Sequence, residues 1–270
     1  MEFCKVLKYD RIEKISCVRA NGKYEALSSV KKRTGADIVI NAPIFNMSTY
    51  AILSNFTCNY IRCGTDDPLW GFRFSDGQPP EWAWNASSAQ HFISEFGLLV
   101  VDGVIRNSVS ASPLSKRGRT AIGITDDGEF VVYVVTDNET YTRRKTAKEL
   151  ANKMFSLGCT HAINLDGGGS SQVADNTGVY TSGRYVPGFL CIWLKKNVQE
   201  EDDTMTVMAT TKMNTYDVKG NKESGRYIAK GDVCTIRRTI ADNLLIEIEY
   251  PISTGKRTAY IKSLEGFKAV

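Results

Sequence analysis

The sequence holds only two histidines, His91 and His161, and neither has neighbours at the spacing of a metal site. No metal ligand set or cofactor is assigned on that basis, and a Ca²⁺ held by Asp carboxylates and backbone carbonyls is the one ion left open. Seven cysteines, an odd set, are scattered without a CxxC pair, which argues against a disulfide framework and for a reducing compartment. Cys58 and Cys63 are the nearest pair and read as two free thiols in a loop region. No apolar run reaches the roughly 18 residues needed to span a bilayer, and Met1 to Asp10 lacks the apolar stretch of a signal peptide. The chain as given therefore reads as cytoplasmic, and action at a cell wall would require phage delivery or release on lysis. Charge of one sign is also scarce. The 34 basic and 30 acidic residues give a net charge of +4, too small to indicate a nucleic-acid partner. From Met205 to Val270, 11 Lys and Arg stand against 7 Asp and Glu, so the whole surplus lies in the tail.

What is present describes a folded protein of two domains. The chain has 270 residues, more than a single domain usually carries, with 42% hydrophobic and 24% charged residues. ADIVIN (Ala36 to Asn41) is a buried strand emptying into a loop before Pro43. Between Ser48 and Ser94 the pattern loses its period and reads as a long irregular excursion, in which Trp70, Trp82 and Trp84 serve either sugar stacking or buried packing. FGLLVVDGVI is a hairpin turning at Asp102-Gly103, and TAIGIT and EFVVYVVT form another around Asp126-Asp127-Gly128. Thr146 to Glu149 is a capping box opening a helix that Gly158 ends, and HAINLD follows as a strand. This order predicts an α+β (mixed α/β) domain over residues 1–196. A charged linker (197–204) and a small all-β barrel (205–270) complete the expected organisation.

Chemistry concentrates at Asn164-Leu165-Asp166-Gly167-Gly168-Gly169-Ser170-Ser171. Three glycines directly after a strand exceed what a turn needs and suit close backbone approach to a ligand, with unshielded amides able to face an anion. The loop lacks the Lys-Ser or Lys-Thr of a nucleotide P-loop and is not a dinucleotide fingerprint.

With its neighbours, this loop resembles the phosphodiester glycosidase family, whose founding activity removes N-acetylglucosamine from a sugar-phosphate diester. The pieces run in the family's order: INAPIFN (Ile40 to Asn46), FGLLVVDGVI, RTAIGIT (Arg119 to Thr125), VVTDNET (Val134 to Thr140), the capped helix with LGC, NLDGGGSSQ and GRYVPGFLCIW (Gly183 to Trp193). Ala42-Pro43 replaces the glycines usual after the first Asn, and Asp137-Asn138-Glu139 stands where Asp-Gly-Arg is common. The resemblance implies a site built from Asn41, Arg119, Thr120, Asp137, Asn164, Asp166, Ser170, Ser171 and Arg184 together with Gly167, Gly168 and Gly169. Asn41 and Asn164 have the plainer reading of strand-end caps.

Glycosidic bonds normally break between two carboxyl groups. A sugar-1-phosphate relaxes that demand, because phosphate, whose second ionisation lies near pH 6, leaves with little protonation. Neutralisation by Arg119 and Arg184 would replace much of a general acid's work. Asp166 is then the base for water or the stabiliser of the oxocarbenium-like sugar, with Asp137 as second carboxylate. The expected ligand is a phosphate-containing glycan or a small sugar phosphodiester. A catalytically inactive sugar-phosphate-binding protein and an intracellular hydrolase of a nucleotide or nucleotide-sugar diester are the competing readings. The tail, through Thr210 to Ile236 and Thr258 to Phe267, is similar to a bacterial SH3-like module and would hold a cell-wall polymer.

Overall fold

In the computed structural model, residues 2–109, 115–195, 205–217, 219–240 and 245–269 are described. The chain divides into two compact units, Met1–Lys196 and Asn197–Val270. The charged segment 197–204, expected as a linker, lies outside the described residues.

The first unit is built on the strand Phe130–Val135, whose FVVYVV sequence is buried at every position. A strand buried on both faces has no polar alternation. Phe130, Val132 and Val134 face one core and Val131, Tyr133 and Val135 a second. The strand sits in a six-stranded sheet ordered Glu2–Leu7, Phe130–Val135, Arg119–Thr125, Cys159–Asn164, Gly97–Val101, Val104–Val109, antiparallel throughout. A second sheet runs Val179–Tyr180, Val173–Ala174, Ile38–Asn41, Gly188–Leu194, Ile12–Arg19. Ile122, Val132 and Ile163 of the first sheet share one core with Ile15, Ile40 and Leu190 of the second.

Helices cover the outer faces. Helix α1, Leu27–Thr34, sets Leu27 and Val30 against Val39 and Phe189. Helix α2, Ala147–Ser156, opens on the expected capping box, in which Thr146 Oγ1 accepts from the Glu149 amide at 3.1 Å and Glu149 Oε2 from the Thr146 amide at 2.7 Å. Its Leu150, Ala151 and Met154 pack on Tyr133 and Val135. Two β-sheets therefore form the centre, with one helix on each outer side.

The α+β expectation is overturned. The structure is 48% strand and 10% helical, with two α-helices among the described residues and several antiparallel sheets. The stretch read as an irregular excursion is a third sheet, ordered Ile61–Arg62, Phe56–Cys58, His91–Ser94, Gly71–Phe74, Glu81–Ala83. Its strands are two to four residues long, too short for an alternating pattern to register. Trp82 stacks on Trp70 at 5.1 Å between centroids and packs against the main core, so it is a packing anchor.

The second unit is a seven-stranded antiparallel sheet ordered Lys222–Ile228, Met213–Tyr216, Gly255–Ile261, Leu245–Ile252, Val233–Ile240, Met205–Ala209, Phe267–Ala269. Its core joins Val207, Ile228, Ile248, Tyr250 and Ile261. The two edge strands do not pair with each other among the described residues, and the expected SH3-like barrel is not shown.

Candidate active site

Three chain segments meet where the strands Ile38–Asn41, Arg119–Thr125 and Cys159–Asn164 end. Asn41 ties them together. It is 1% exposed, and its Nδ2 donates to the Asp166 carbonyl at 2.8 Å. Its Oδ1 accepts from Thr120 Oγ1 at 2.8 Å and from the Gln172 amide at 3.1 Å. Asn164 is fully buried and donates from Nδ2 to the Leu165 carbonyl at 2.8 Å. Asn41, Thr120, Asn164 and Ser171 therefore lie behind the reacting surface and shape the loop. Removing Asn41 strands three buried groups, so Asn41→Ala is expected to cost about 3 kcal/mol, read as a fall in unfolding midpoint with the urea m-value unchanged.

The glycine loop folds as one 3₁₀ turn, Gly168–Ser170. Gly168 has φ +59°, open to glycine. Most of its amides turn inward: Gly167 N–H donates to Asp166 Oδ1 at 2.9 Å, Gly168 N–H to the Gly118 carbonyl at 2.8 Å, Ser170 N–H to Gly167 O at 3.2 Å and Ser171 N–H to Gly168 O at 3.0 Å. Positive charge at the loop therefore comes from side chains, not from the nest of free amides the sequence suggested.

Those side chains line one cavity of about 510 Å³. Asp166, Gly167, Gly168, Gly169 and Ser170 form one wall, and Arg119, Arg184 and Asp137 join them. Arg184 Nη1 donates to Ser170 Oγ at 3.2 Å and its guanidinium lies against Gly169. Arg119 is 3% exposed, and its guanidinium donates to the carbonyls of Lys145 at 3.1 Å and Ser115 at 3.2 Å. Burial, with Arg117 nearby, lowers its pKa, and Asp137 opposes that shift. Asp137 Oδ1 accepts from the Gly118 amide at 2.7 Å and faces Arg144 at 3.9 Å. Both arginines thus line the cavity walled by the triple glycine, with the Arg184 guanidinium against Gly169.

Burial pushes the Asp166 carboxyl up to about 6, against the lowering influence of Ser170, the Gly167 amide and Arg184. A carboxyl titrating near working pH beside a cationic cavity is suited to proton transfer.

Sequence reasoning missed Lys116, Arg117 and Arg144, which also line the cavity. The basic runs Lys116-Arg117 and Arg143-Arg144-Lys145 meet through a two-way backbone bridge between Arg117 and Lys145, 3.1 Å in each direction. Five cations then face two carboxylates. Glu95 was missed too. It lines an adjoining cleft of about 410 Å³ that shares Ile44 and Phe96 with the cavity, and burial raises its carboxyl to about 7. Among the described residues no group of three or more His, Cys, Asp or Glu is placed to hold a metal ion.

Residues 66–193 match the phosphodiester glycosidase family. The resemblance drawn from the motifs is therefore shown, while Ile40 to Asn46 precede the matched span. No curated protein matches the chain. Among solved structures, it is similar to the catalytic domain of zebrafish N-acetylglucosamine-1-phosphodiester alpha-N-acetylglucosaminidase, auto-inhibited by its pro-peptide, with a TM-score of 0.59 and 17% identity over 72% of this chain and 83% of that one. A hypothetical protein from Synechocystis gives a TM-score of 0.53 at 12% identity, covering 72% of this chain and 59% of that one. At these identities the likeness establishes the fold.

Proposed function

We propose that the chain hydrolyses the glycosidic bond of a sugar-1-phosphate diester, with Asp166 as the carboxylate at the anomeric carbon and Arg119 and Arg184 neutralising the departing phosphate. The observation that supports this most directly is that a carboxyl raised to about 6 lines one cavity together with Arg119 and Arg184. Water attacks C1, the C1–O bond breaks, and the electron pair leaves on a phosphomonoester. Asp166, ionised above about pH 6, takes the proton from water or stabilises the positive sugar, and Asp137 serves as second carboxylate. The family match and the fold of a glycosidase acting on N-acetylglucosamine-1-phosphodiesters make that sugar the first to test. Residues 205–270, in which 11 Lys and Arg stand against 7 Asp and Glu, are assigned to hold an anionic polymer such as a bacterial wall or exopolysaccharide.

Hydrolysis of methyl N-acetylglucosamine-1-phosphate in H₂¹⁸O tests the assignment. The label is expected on the released sugar. Label on phosphate would make the protein a phosphodiesterase breaking P–O, and tight binding without turnover would make it a sugar-phosphate-binding protein.

Because phosphate leaves without full protonation, Glu95→Gln is expected to change kcat/KM on this substrate by less than about threefold. A loss of 100-fold or more, measured by reducing-sugar release, would assign a general acid to Glu95.

A further inference from the structure

Arg184 and Gly169 wall two cavities. One is the cationic cavity containing Asp166, and the other, about 660 Å³, is lined by Tyr24, Tyr50, Tyr185 and the Ser182-Gly183 turn. Ser182 Oγ donates to the Gly169 carbonyl, so the dividing wall is fastened to the loop itself.

The three rings form one surface. Tyr24 and Tyr50 have centroids 4.3 Å apart at 36°, and Tyr24 and Tyr185 lie 5.7 Å apart at 35°. Tyr24 is 43% and Tyr185 49% exposed, so a clustered aromatic face is left open to solvent. The backbone fixes it there. Tyr24 and Tyr185 flank the bridge between Glu25 and Val186, made by hydrogen bonds of 3.1 and 3.2 Å. Tyr50 adopts φ +60°, an unfavourable conformation for a bulky residue, and closes a loop in which its amide donates to Asn46 O at 2.8 Å. Tyr24 and Tyr50 precede the residues that match the family.

A planar base held between two rings needs them about 7 Å apart, two contact distances of roughly 3.5 Å. The spacings here leave no such slot, so the rings offer a one-sided platform to the apolar face of a sugar. We propose that Tyr24, Tyr50 and Tyr185 form the subsite for a pyranose on the leaving side of the phosphodiester, with the phosphate bridging the two cavities at Arg184. The placement of the phosphate rests on the function proposed above. Ligand stacking on the rings does not need turnover.

Calorimetric titration of the full chain with glucose 6-phosphate, methyl phosphate and adenosine 5′-monophosphate tests the subsite. Glucose 6-phosphate is expected to bind at least about 10-fold more tightly than methyl phosphate. Tyr24→Ala and Tyr185→Ala should each shrink that ratio below about threefold, while Tyr185→Phe, which keeps the ring, preserves it. Circular dichroism checks that the variants are folded. Equal affinity for the two phosphates in the unaltered protein, or a ratio that survives both alanine variants, overturns the proposal. Tighter binding of the adenosine phosphate overturns the sugar assignment. Failure of every diester to be hydrolysed would count against the catalytic reading and leave this binding result readable.

Discussion

Replacing Asp166 with Asn is expected to lower kcat/KM on a sugar-1-phosphate diester by about 10³-fold, within the range for a lost proton-transfer group, while making the protein more stable at pH 7. The two effects share one cause. The carboxyl titrates near 6 because burial disfavours its charge, so the native state binds more protons than the unfolded chain between the ordinary value of 3.8 and about 6. Stability associated with the group is present below pH 4 and is lost as pH rises through 6. Asn cannot ionise, so the variant gains at pH 7 and gains nothing at pH 3. The raw shift would be worth nearly 3 kcal/mol, but the residue keeps partial contact with solvent, and about 1 kcal/mol, or roughly 2–4 °C in Tm for a unit of this size, is the expected gain. The unaltered protein should lose about 10-fold in kcat/KM for each pH unit below 6, as the ionised form becomes scarce. Undiminished turnover by Asp166→Asn removes Asp166 from the mechanism. Lost turnover without a pH-dependent rise in Tm shows that the carboxylate acts without being destabilised.

How much of this was legible in the sequence depends on how far each signal reaches along the chain. The helix Ala147–Ser156 is announced by Thr146 and Glu149, three residues apart, and both halves of the capping box form. The helix Leu27–Thr34 has no side-chain cap and no acidic residue in its first turn, and only Leu27 and Val30 are buried, so eight residues of mostly polar sequence carry almost no pattern. The small sheet between Phe56 and Ser94 was invisible for the same reason, since a strand of two or three residues has no period. At the site, Asp166, the glycines, Arg119 and Arg184 were readable because each sits in a short motif. Arg117 and Arg144 were not, because what places them together is a backbone bridge across 28 residues, as Arg117 pairs with Lys145. Glu95 escaped as well: its raised pKa comes from burial, with no charged partner in sequence to betray it. The α+β expectation failed through the same asymmetry, one strongly marked helix outweighing many weakly marked strands.

Two glycine-to-alanine substitutions separate the loop's position from its charge. At Gly118 an added Cβ would lie 2.6 Å from the Gly168 carbonyl oxygen and 2.7 Å from the Asp137 amide nitrogen, both backbone atoms that move only if their segments move. Gly118 also accepts from the Gly168 amide and donates to Asp137 Oδ1, so displacement strains both links. Gly118→Ala is therefore expected to cost about 1–3 kcal/mol, as overpacking of a tight contact does. It should also lower kcat/KM by about 10²-fold, the penalty for moving reacting groups by roughly 1 Å. At Gly169 the added Cβ meets Arg184 Nη2 at 2.7 Å and Cζ at 2.8 Å, the mobile end of a long side chain. That guanidinium can swing aside with little cost to the fold. Gly169→Ala should hold its unfolding midpoint within about 0.5 kcal/mol of the parent, typical of a surface change, and still lose most of its activity, because the group neutralising the phosphate has been displaced. Equal losses of stability in the two variants would show that the loop is braced at Arg184 as rigidly as at Gly118. A Gly169→Ala protein with full turnover would leave Arg119 as the phosphate's principal counter-charge.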